Sequence, residues 1–138
     1  MCTNFTPTRQ TEWAAQALGV AWPQGHPEEV FPGQLAPVVL RSHRQERMAA
    51  GLARFGLIPT WAKDLGQGRH TYNARSETVF DKPSFRSSVP SKRCIIPMDG
   101  FYEWQTIGVA TSSPPQPKQP VYVTRRDGHP LAVAGLWA

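Results

Sequence analysis

The chain has 138 residues, enough for one average domain and not comfortably for two. Its 14 prolines and 11 glycines argue against a helical bundle, and no apolar run approaches the ~20 residues that cross a bilayer. The formal charge is +5, but residues 41–93 hold eleven of the fifteen Lys/Arg and only four acids, so this stretch is +7 and the remainder −2. A basic middle fits a polyanionic partner, most often nucleic acid; on charge alone an ordinary solvated surface explains it slightly better.

Met1-Cys2-Thr3-Asn4-Phe5 has no basic segment followed by an apolar one and is not a secretory signal. Met1–Thr6 is a short strand candidate. Thr11–Leu18 reads as a helix, with Thr8 or Thr11 as its cap and Gly19 as its end. Residues 20–34 are Pro/Gly-rich loop. Leu35–Leu40 and Gly51–Ile58 are strand candidates; Pro37 implies an edge or a bend in the first, and Pro59 closes the second. Asp64–Thr71 is a polar loop with two glycines, and Ser76–Val79 opens a short helix capped by Ser76. Arg93–Met98, Phe101–Gln105, Val121–Arg126 and Leu131–Trp137 are rich in β-branched, aromatic and Leu residues, with Asp127-Gly128 as a hairpin turn between the last two. Thr111–Pro120, with four prolines and two serines, reads as an exposed loop. The last eight residues form an apolar strand with nothing after it, so the chain is expected to stop short of its natural end.

Two cysteines, Cys2 and Cys94, make no disulfide framework, and a reducing cytosol is the default compartment. Once Met1 is removed, Cys2 carries an α-amine and a thiol on adjacent carbons, with reference pKa values of ~8 and ~8.5. Such a pair takes an aldehyde in two steps: the amine forms a Schiff base, and the thiolate closes a thiazolidine ring at high effective molarity. The competing reading is a small buried cysteine. Glu103 lies between aromatics in Gly100-Phe101-Tyr102-Glu103-Trp104 and suits general acid/base work, or is an edge-strand Glu facing water. Asn73 and Arg75, in Tyr72-Asn73-Ala74-Arg75-Ser76-Glu77-Thr78, suit a carbonyl, hydroxyl or phosphate, or a plain helix cap. Trp61 follows Gly56-Leu57-Ile58-Pro59 and suits stacking on an unpaired base, while Phe55, Leu57 and Ile58 are core candidates. Neither the four histidines nor the cysteines have metal-ligand spacing, so no metal and no cofactor are expected.

Taken together and in order, Met1-Cys2, Gly56-Leu57-Ile58-Pro59 with Trp61, Asn73-Ala74-Arg75-Ser76-Glu77-Thr78, Ser84-Phe85-Arg86, Arg93-Cys94-Ile95-Ile96-Pro97 and Gly100-Phe101-Tyr102-Glu103-Trp104 resemble the SRAP family (SOS response-associated peptidase) from residue 1 to about 137. The resemblance implies one SRAP-like domain over 1–138. Its fold would be α+β, a mixed β-sheet core curled into a pseudo-barrel with short peripheral helices. It also implies a cytoplasmic sensor of abasic sites in single-stranded DNA, with no membrane partner. By likeness Cys2 links to the ring-opened sugar, Asn73 positions the Cys2 end and the sugar, and Glu103 is the acid/base. Arg75 and Arg86 hold phosphates, Trp61 sits near the DNA junction and Pro32 touches a base. The peptidase activity would be self-removal of the leading residue. Two departures stand out. The family's Gly-Arg after Cys2 is Thr3-Asn4 here, and the family histidine of a His-x-Arg-Met-Pro segment has no counterpart; His129 does not fill that role. Alternatives from other classes are an N-terminal-nucleophile cysteine peptidase or amidohydrolase, and a non-covalent basic single-strand-binding module.

Overall fold

The structure, a computed structural model, describes residues 3–42, 47–108 and 117–138. In chain order these form β1 (Phe5–Pro7), α1 (Thr11–Leu18), β2 (Leu35–Ser42), β3 (Arg47–Arg54), a 3-10 helix (Leu65–His70), β4 (Arg93–Thr106), β5 (Lys118–Val123) and β6 (Leu131–Leu136). The strands make one α+β sheet curled into a half-barrel, and every pairing among the described residues is antiparallel. No helix among them is long and apolar enough to cross a membrane.

The spine is β4. Composition predicts two strands divided at Asp99-Gly100, but the 14 residues are one strand and the dipeptide is a bulge rather than a turn. Thr6 pairs with Gly100 and Pro7 with Met98, so Asp99 is skipped. Its carboxylate is used instead: it accepts from the buried Thr8 hydroxyl (2.7 Å) and from the Arg9 N–H (3.2 Å), clamping the chain that leads into α1. Shared registers show how β4 is flanked. Phe101 pairs with both Phe5 and Val123, and Cys94 with both Leu40 and Gly135. Hence β1 and β2 lie along one edge, β5 and β6 along the other. The expected β5–β6 hairpin does not form. The Asp127-Gly128 turn is present, with Gly128 at φ 74°, but both strands pair with β4 instead of with each other.

Other boundaries differ as well. The strand expected at Gly51–Ile58 lies at Arg47–Arg54, because it continues the β2 hairpin from Leu35↔Arg54 to Ser42↔Arg47. Phe55, Leu57 and Ile58 leave the sheet and pack inward instead. β2 is not an edge, although only Val39 and Leu40 reach β4, so Pro37 sits where one neighbour suffices. Asp64 caps the 3-10 helix by accepting from Gly66 N–H (2.6 Å), where composition predicts a loop. No helix starts at Ser76; Arg75–Lys92 runs as successive turns with i+3 and i+4 backbone bonds. Strand β5 spans Lys118–Val123, earlier than the expected Val121–Arg126, and takes the end of the expected loop at Thr111–Pro120. Residues 109–116 of that loop lie outside the described residues, as do Met1 and Cys2 of the expected first strand.

Two cores result. On one face Phe5, Val30, Ala36 and Met98 pack with Phe55, Ile96, Phe101, Leu131 and Val133. On the other face α1 packs through Ala14, with Val20 and Trp22, over Val39 and Ala50. β2 is therefore covered on both sides, which is why Ala36–Val39 is buried without alternation. α1 spans the predicted residues and ends at Gly19 (φ 66°, left-handed). Its N-cap position is Gln10, with no side-chain cap; Thr8 accepts from Gln10 N–H at 3.1 Å, and neither Thr8 nor Thr11 caps the helix.

Candidate functional site

The acid/base candidate stands on the sheet face that carries Met98 and Phe101. Met98 and Phe101 both join the inner core, so the bulge at Asp99 resets the alternation and puts Glu103 on the same face, two residues beyond Phe101. Glu103 is half-buried, has a partner, and stands opposite Val121 on β5. Trp104 points to the other face and is about half exposed.

Asn73 arrives by a different route. An edge-to-face ladder runs from Phe5 to Phe55 (centroids 5.2 Å apart) and from Phe55 to Tyr72 (5.8 Å), and Asn73 follows Tyr72. Behind the ladder the buried Thr71 hydroxyl donates to the Leu57 carbonyl, and Leu57 N–H returns to the Thr71 carbonyl at 3.3 Å. Gly56, at φ 124°, lies so close to Gly68 that a Cβ would fall on the Gly68 carbonyl. Asn73 is half-buried and has a partner. The ladder and Thr71 are site-positioning features that the linear sequence does not disclose. Their signal, Tyr72 beside an aromatic-rich run, is too common to single out.

The start of the chain enters the sheet on this side. Phe5 exchanges backbone bonds with Val30 (3.2 and 2.8 Å), and Tyr102 N–H donates to the Asn4 carbonyl at 3.1 Å, one residue from Glu103. The Asn4 amide also bonds the Glu29 carboxylate. Asn4, which replaces the family's arginine, thus has a local structural role. Cys2 lies outside the described residues.

The remaining candidates are on the outer surface. Trp61 is 56% exposed, its indole N–H 3.4 Å from the Pro83 carbonyl. Arg75 and Arg86 are exposed, and among the described residues neither pairs with an acid. Pro32 is half-buried in a turn pinned to the end of β3 by Gly33 N–H to Phe55 O (2.7 Å) and Arg54 Nη1 to Gly33 O (2.7 Å). No group of three His, Cys, Asp or Glu suited to a metal occurs among the described residues.

The second cysteine is chemically quiet. Cys94 is buried on β4 facing Gly135, where a side chain would meet its sulfur, and burial pushes its thiol from an ordinary 9.0 up to about 11. At neutral pH it is a thiol, not a thiolate nucleophile. In the folded state Cys94 keeps its proton while the unfolded chain loses it, so stability is full below pH 9 and falls as pH rises toward 11. Urea unfolding at pH 9 and pH 11 will show a loss about 2 kcal/mol larger for the parent than for Cys94→Ala.

Comparison with known proteins completes the site. Residues 1–138 match the family model of the SOS response associated peptidase, SRAP. The chain is 41% identical over 142 residues to the abasic site processing protein YoqW of Bacillus subtilis, covering 99% of this chain and 60% of that protein. It is 34% identical over 97 residues to the abasic site processing protein YMR114C of Saccharomyces cerevisiae, covering 69% of this chain and 24% of the yeast protein. A crystal structure of a Bordetella bronchiseptica protein superposes with a TM-score of 0.78 at 28% identity, over 98% of this chain and 63% of that one. The chain therefore spans about 60% of the length of YoqW. With the family model matched over residues 1–138 and the curled sheet in agreement with it, the chain belongs to the SRAP family.

Proposed function

We propose that this protein captures abasic sites in single-stranded DNA covalently, through Cys2 after removal of Met1. The carrying observation is the bond from Tyr102 N–H to the Asn4 carbonyl, which holds the start of the chain against β4 one residue from Glu103. Support comes from relatives named abasic site processing proteins.

In the proposed reaction the ring-opened sugar presents an aldehyde. The Cys2 α-amine adds to its carbon, and loss of one water leaves an imine. The Cys2 thiolate then adds to the imine carbon, the nitrogen takes a proton, and a five-membered thiazolidine closes. One carbonyl and one aminothiol become one ring plus water, with no oxidant or reductant. Glu103 shuttles the protons: it helps open the sugar ring and helps water leave. Asn73 holds the sugar and the Cys2 end. Arg75 and Arg86 take the flanking phosphates, and Trp61 stacks at the strand junction. The same residues would perform removal of Met1, the peptidase part of the proposal.

The test is incubation with a single strand carrying one abasic site, followed by a denaturing gel. The parent protein will give a shifted band. Cys2→Ala will give none, and Glu103→Gln will form it on the order of 100-fold more slowly. Intact mass of the active protein will lack Met1. A band of equal yield from Cys2→Ala, or binding without any band, refutes the covalent reading.

A further inference from the structure

The three most exposed large apolar side chains among the described residues are Phe80, Leu65 and Trp61, at 69%, 64% and 56%. All three lie in the connection between β3 and β4. That connection carries six Lys/Arg against three acids. Among the described residues the ion pairs Arg9–Glu28 and Arg125–Asp127 lie elsewhere and involve none of its cations. The connection is not a loose loop. Turns with backbone bonds such as Lys82 N–H to Thr78 O (3.0 Å) and Arg86 N–H to Lys82 O (2.9 Å) run through it, and the Trp61 indole reaches Pro83. Phe80 is three residues before Pro83 in this ladder.

Aromatic rings held in solvent on a basic scaffold suit a ligand that is both flat-faced and anionic. The excess positive charge selects a polyanion, and a polyanion with flat apolar faces is a nucleic acid with unpaired bases. We infer that Phe80 stacks on an unpaired base of the bound strand while Lys82 holds an adjacent phosphate, extending the track beyond Trp61. This rests on the single-stranded DNA reading above and adds a residue to it that the motif pattern does not contain.

The test is fluorescence anisotropy with an intact oligothymidylate, free of abasic sites, over a range of salt. Phe80→Ala will raise Kd about 10-fold, in line with the loss of one stacked base, and leave the salt slope unchanged. Phe80→Leu, which keeps apolar bulk but not the flat ring, will fall with Phe80→Ala, and Phe80→Trp will bind like the parent. Lys82→Gln will reduce the slope of log K against log salt by about 0.7. Because Phe80 is exposed, the thermal midpoints of these variants will match the parent's. If the parent binds and Phe80→Ala stays within two-fold of it, the stacking role is overturned and the covalent proposal stands. If the parent binds neither intact nor abasic strand, the DNA reading falls and takes this inference with it.

Discussion

Gly56→Ala will lower stability by about 3 kcal/mol, a fall of roughly 10 °C in the thermal midpoint of a domain this size. The reason is double. Gly56 sits at φ 124°, outside the range that side chains tolerate, and a Cβ there would fall on the Gly68 carbonyl oxygen and 2.9 Å from its carbon. Backbone on both sides leaves nothing flexible to yield. Gly68→Ala places its Cβ 3.0 Å from the Gly56 oxygen without a positive φ, and will cost about 1 kcal/mol. Gly51→Ala, with open space around it, will be neutral within about 0.5 kcal/mol. Thermal unfolding followed by circular dichroism ranks the three. Equal midpoints for Gly56→Ala and Gly51→Ala would remove the argument that this contact sets the position of Thr71 and Asn73.

Phe5→Ala will cost more, about 3–5 kcal/mol, and lower the urea midpoint by at least about 1 M. Phe5 is 1% exposed and is the first ring of the ladder to Phe55 and Tyr72. β1 has only three residues, and of its two buried side chains, Phe5 and Pro7, Phe5 is the larger. Its loss frees the leading residues from β4 and removes the support behind Asn73. The variant will therefore lose crosslinking at temperatures where far-ultraviolet dichroism still reports a folded sheet. Crosslinking that declines only in step with unfolding would show that Phe5 stabilises the fold without placing the site.

Much of the fold is legible in the linear chain. α1 is readable because an apolar-periodic stretch ends on a glycine, and that glycine adopts the left-handed conformation which stops a helix. Glu103 and Asn73 stand out by their motif contexts. What the residues do not announce is tertiary in origin. Asp99-Gly100 has turn composition, yet it is a bulge because β1, β5 and β6 pair across it on both edges. Asp127-Gly128 makes its turn without a hairpin, because β4 is long enough to take both flanking strands. Arg47 and Met48 lie ahead of the strand expected from Gly51, and pairing with Ser42 and Arg41 extends it to them. Phe80 lies outside every motif, and only its exposure marks it.

The central position of β4 governs the order in which the chain can mature. As the polypeptide leaves the ribosome, β2 and β3 can zip locally as soon as both are made. β1 has no strand to join until β4 emerges some ninety residues later. Until then Phe5 and Val30 have no Met98 to cover them, and their apolar surface stays open for that interval. The first strand to be synthesised is thus among the last to be fixed in place.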